Sequence, residues 1–141
     1  MTDELVKIYD LKQDHRQIGL IQKATLETKD YGLVPEHALF GSPDWWRAVE
    51  ENLIPVHTIE GIISRVYMSG HNDYPEFEID DGQEKTRWTR EGKDEAYVIG
   101  RRVKLKYVFQ KPKKAFGGKY PHEVVLEIWI SSNDRKASSV F

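Results

Sequence analysis

Apolar positions along the chain follow two rhythms, one helical before Pro55 and one of period two after it. In GSPDWWRAVEEN, Trp46, Val49 and Leu53 stand at i, i+3 and i+7, one stripe of a helix. Ser42 is a good N-cap, Pro43 suits the first helical position and Asp44 complements the helix N-terminus. Asn52 can end the helix and Pro55 prevents its continuation, so a helix is predicted over 43–52. Trp45 points about 100° away from Trp46 and is expected outside the core stripe. Residues 4–29 give a mixed signal. Leu5, Ile8 and Tyr9 have helical spacing, whereas Ile18, Leu20 and Gln22 alternate. A short helix or strand followed by a strand is expected there.

After Pro55 the alternation is that of strands. In HTIEGIISRVYM the apolar phase changes between Ile63 and Val66, near Gly61, which predicts a bent or bulged strand. In EFEID, Phe77 and Ile79 face one way and Glu76, Glu78 and Asp80 the other. Asp81-Gly82 predicts a turn, and EKTRWTR a strand with Trp88 central. KDEAYVIG reads as a single helical turn with Gly100 as its cap. RRVKLKYVFQ puts Val103, Leu105, Tyr107 and Phe109 on one face and Arg102, Lys104 and Lys106 on the other. VVLEIWI carries Val124, Leu126, Ile128 and Ile130 on one face, and residues 132–141 read as a tail.

Five strands with a helical insertion after the third resemble the OB-fold, a small Greek-key barrel, over residues 56–131; an SH3-like barrel has similar features. The expectation is a mainly β (α+β) single domain of residues 1–141. Residues 1–55 would form a helical extension and residues 56–131 the barrel.

Composition then narrows the function classes. The chain has 141 residues, 31% of them charged, and no cysteine. That suits one soluble domain and excludes disulfides, thiolate nucleophiles and cysteine-ligated zinc. It contains no apolar run long enough to span a bilayer and no apolar leader segment. A cytoplasmic location is expected, with no membrane association. Net charge is −2, but eight bases and no acid lie between Arg101 and His122, leaving 13 bases against 23 acids elsewhere. The sequence is charge-polarised, and the fold decides whether the molecule is.

Three candidate sites follow. The segment KPKKAFGGKY surrounds two rings with lysines, so Lys111, Lys113, Lys114, Phe116, Lys119 and Tyr120 could neutralise phosphates and stack on bases. The expected function is therefore non-enzymatic binding of single-stranded nucleic acid or an acidic protein surface. Lys104 and Lys106 could instead pair with Glu123 and Glu127 across the hairpin. The second candidate is the acidic row Glu76, Glu78 and Asp80, contacts of a small antidote or immunity-like protein that meets a basic partner by electrostatic steering. The third is a small metal-dependent hydrolase on His71, Asp73 and Asp80, set against a plain loop built by Gly, Asn and Asp. No phosphate-binding loop or nucleophile elbow is present, and no cofactor is expected.

Overall fold

The GSPD signal forms the helix its residues dictate. In the computed structural model, which describes residues 4–68, 74–113 and 121–132, the Ser42 side chain accepts the Trp45 N–H and Pro43 opens α2 (Pro43–Glu50). Asn52, in the left-handed region at φ 61°, turns the chain out of the helix. The helix therefore ends two residues before its predicted limit of 52.

The other elements are β1 (Leu5–Asp10), α1 (His15–Glu27), β2 (His57–Met68), β3 (Pro75–Asp80), β4 (Lys85–Thr89), β5 (Arg102–Gln110) and β6 (His122–Ser131). Short 3-10 turns lie at Leu11–Gln13 and Asp94–Ala96. The mainly β expectation holds, at 43% strand against 23% helix. The strands hydrogen-bond as one open antiparallel sheet in the order β1-β6-β5-β2-β3-β4. This differs from a five-stranded OB-like or SH3-like barrel. The segment read as part of a helical extension supplies a sixth strand, because Val6 and Tyr9 find partners in Ile130 and Ile128 of β6.

Residues 15–27 are a helix where a strand was expected. Asp14 caps it by accepting the Gln17 N–H at 3.1 Å. Asp14, Ile18, Ile21, Gln22 and Thr25 then share its sheltered face, while Leu20 stays in solvent. The Ile18/Leu20 alternation thus joins opposite sides of a helix.

The chain divides into two compact units. One holds β1, β3, β4, nearly all of β2, the first part of β5 and the end of β6. Its core includes Ile63, Phe77, Ile79, Val103, Leu105, Ile128 and Ile130. Tyr97 packs its ring 4.7 Å from that of Phe77. The bend predicted in β2 is present as a register shift between Ile63 and Arg65. Gly61 lies so close to β3 that a Cβ there would strike the Asp80 carbonyl.

The other unit holds α1, α2, the end of β5 and the start of β6, around Leu11, Phe40, Trp45, Ile54, Val108 and Leu126. Here two expectations are corrected. Trp45, at 0% exposure, and Ala48 form the buried stripe of α2, while Trp46 is half-buried and Leu53 is 58% exposed. The αL turn at Asn52 sends Ile54 inward in place of Leu53. In β5, Val103 and Leu105 are buried as expected, but the next buried residues are Val108 and Gln110. Gln110 accepts the Trp45 indole N–H at 3.1 Å, so the polar side chain has a buried partner. Tyr107 and Phe109 turn to the more exposed side.

Candidate partner interface

The acidic row is real as geometry, but it is not an acidic face. Glu76, Glu78 and Asp80 alternate with buried Phe77 and Ile79 along β3, so all three stand on the opposite, half-buried side. Register fixes their neighbours. Glu78 lies between Arg65 of β2 and Arg87 of β4; Asp80 faces Lys85; Glu76 faces Tyr67 and Thr89. Ser64, at the register shift, donates to the Glu78 carboxylate at 2.9 Å. The Arg65 guanidinium lies 4.2 Å from the Tyr67 ring centroid. Burial and then the Glu76 carboxylate push the Tyr67 phenol pKa up, while Arg87 and Arg65 pull it down. The row is thus a carboxylate stripe with Arg65 on one side and Lys85 and Arg87 on the other.

Asp80 and Asp81 also build the β3–β4 turn. Asp80 accepts the Gly82 N–H at 2.9 Å, and Asp81 accepts those of Gln83 and Glu84 at 2.8 and 2.9 Å. The Glu84 and Gln83 amides hold the Asp81 carboxyl below its usual range. His71 and Asp73, the other members of the metal reading, lie outside the described residues. Among the described residues, no three His, Asp or Glu side chains are grouped to hold a metal ion.

Of the basic loop, Lys114, Phe116, Lys119 and Tyr120 lie outside the described residues. Lys111 is exposed. Lys113 is committed to structure, its ammonium donating to the Thr25 and Thr28 carbonyls at 2.6 and 2.8 Å. These carbonyls belong to the C-terminal end of α1, where a cation satisfies orphan acceptors and complements the helix dipole. Glu127, an expected partner of the β5 lysines, bridges to Lys7 at 3.4 Å. Among the described residues, Lys104 and Lys106 make no ion pair.

One surface group escaped the sequence. His57 stacks near Tyr107, with centroids 5.3 Å apart and planes at 28°. Phe109 meets both edge-on, 5.1 Å from His57 and 5.5 Å from Tyr107. Phe109 remains 40% exposed. The only signal in the sequence was Val108, which interrupts the polar phase of Arg102, Lys104 and Lys106.

A family model described as "Immunity protein RhsI2" matches residues 5–131, from the first residue of β1 to the last of β6. The chain belongs to the RhsI2 immunity protein family. No curated protein matches it. Membership in the RhsI2 family favours the immunity-like reading of the sequence over the nucleic-acid reading, which it does not support. Among the described residues, no helix is long and apolar enough to cross a membrane.

Proposed function

We propose that this chain is an immunity protein that binds a toxin protein non-covalently and thereby blocks its action. The observation that carries this reading is the family match, which takes in every strand and both helices of the described residues. The surface supports a protein partner. The Glu76, Glu78 and Asp80 stripe, flanked by Arg65, Lys85 and Arg87, presents charges of both signs in a fixed register. Such a pattern selects and orients a complementary protein more effectively than it attracts a uniform polyanion. These carboxylates are proposed contacts of the partner.

The test is capture with the tagged chain in its source cells, with and without nuclease. The captured protein is identified and then produced in a test host, alone and together with the chain. A nuclease-resistant complex, and growth restored by the chain, is the expected result. Toxicity unchanged by the chain would end the immunity reading. Capture abolished by nuclease would return attention to nucleic acid.

A further inference from the structure

Strand β4 ends the sheet on one side, with β3 as its hydrogen-bonded neighbour. The direction of its outer edge follows from two bonds at the ends of that pair. The Arg90 N–H donates to the Pro75 carbonyl at 3.0 Å, and the Asp81 N–H to the Glu84 carbonyl at 3.2 Å. Both fit the register that pairs Phe77 with Trp88 and Ile79 with Thr86, so Glu84, Thr86, Trp88 and Arg90 turn their backbone groups toward β3. Antiparallel ladders alternate. The N–H and C=O groups of Lys85, Arg87 and Thr89 therefore point outward. Two of these residues are also basic. Lys85 and Arg87 are exposed and, among the described residues, make no ion pair. At β1, the opposite edge strand, Gly92 packs so closely that a Cβ there would strike the Ile8 carbonyl.

From this we infer that the β4 edge accepts an extended segment of a protein partner that carries carboxylates at alternate positions. The inference rests on the proposed immunity function, for which it names the partner's recognition element. An added strand completes the outward ladder by main-chain hydrogen bonds, and its side chains fall in register with those of β4. Residues opposite Lys85 and Arg87 are then two apart on one face, where opposite charges stabilise the pairing. The sheet already follows this rule inward. Arg65, Glu78 and Arg87 run across it in one row, and Asp80 and Lys85 in the next. An acid beyond Arg87 and Lys85 continues that alternation of sign. A second copy of the chain fits poorly, because β4 laid antiparallel on itself about Arg87 sets guanidinium against guanidinium. Bases at an edge deter indiscriminate strand pairing, and the same bases select an acidic strand.

The experiment titrates the full chain with the capped peptide threonine–glutamate–valine–glutamate–valine–threonine and, separately, with its glutamine and lysine counterparts. The readout is the backbone amides by NMR. The glutamate peptide is expected to shift the amides of Lys85, Arg87 and Thr89 saturably and to slow their exchange. It should bind about fivefold more tightly than the glutamine peptide, as two cross-strand ion pairs allow. Thr89→Pro removes one outward N–H and no charge, and should lose the response. Lys85→Glu and Arg87→Glu together should move the preference to the lysine peptide. Equal affinity for the glutamate and glutamine peptides would overturn the inference, as would a full response in a Thr89→Pro chain with a normal melting curve. So would silence at the three amides, or concentration-dependent shifts of them without peptide, which would give the edge to a second copy. A chain that binds the glutamate peptide yet fails to protect cells keeps this assignment and loses the immunity reading. Protection without any peptide response retires the edge alone.

Discussion

The indole N–H of Trp45 and the side-chain carbonyl of Gln110 meet 3.1 Å apart in a buried hydrogen bond between residues 65 positions apart in sequence. It couples the only buried tryptophan of α2 to the last residue of β5, and it explains how a glutamine occupies a core position. The ring also packs edge-on against Phe40 at 4.8 Å. Trp45→Ala is expected to destabilise the protein by about 3 to 5 kcal/mol, the usual range for a buried aromatic truncation. Trp46→Ala should cost distinctly less, because its ring is half-exposed beneath Lys12. Urea unfolding of the two variants decides the matter, and equal losses would contradict the assignment of the core stripe.

Lys113 acts on α1 from a distance of 85 residues or more, through the Thr25 and Thr28 carbonyls. Lys113→Met keeps most of the aliphatic stem and removes the charge-assisted hydrogen bonds. A loss of about 1 to 2 kcal/mol is expected, given the partial exposure of the site. Amide exchange should quicken first in the last turn of α1. Unchanged exchange there would show that the lysine does not cap the helix.

Gly19 sits inside α1 with nothing within 4 Å of where a Cβ would project. Gly19→Ala should therefore stabilise the protein by up to about 1 kcal/mol, the difference in helix propensity. A rise in melting temperature is the expected readout, and a fall would mean that this face of α1 is not open.

Tyr97 gives a pH signature. Burial pushes its phenol pKa well up, and the hydroxyl donates to the Glu91 carbonyl at 2.5 Å and accepts the Glu91 N–H at 3.0 Å. The unfolded chain ionises this phenol near pH 10, while the folded chain keeps it neutral. Above about pH 10 the folded state holds the extra proton, so stability falls as pH rises. Tyr97→Phe should be less stable at neutral pH for want of the two hydrogen bonds, and should show a shallower alkaline decline. Parallel stability curves for the two proteins would remove Tyr97 from that decline.

Local chemistry was legible wherever it acted through neighbours in sequence. Ser42, Pro43 and Asp44 announced α2, Asp81-Gly82 its turn, and Gly61 the bend of β2. What sequence could not weigh was set by distant partners. Trp45 and Trp46 are equally good helix residues, and only Gln110 and Phe40 decide which one is buried. The phase of β5 was read correctly through Leu105 and then lost, because the inward side chains Val108 and Gln110 belong to the second core. Charge was misleading for a similar reason. Glu127, the cross-hairpin candidate for the β5 lysines, pairs instead with Lys7 of β1, a strand remote in sequence.

The pairing of β1 with β6 has a consequence for how the chain matures. Val6 and Lys7 align with Ile130 and Trp129, so β1 finds its template only when β6, more than a hundred residues later, has been made. Loop closure over such a separation is slow compared with the local hairpin of β3 and β4. On the ribosome, β1 must therefore wait without its partner strand, its hydrogen-bonding edge open, until β6 has emerged.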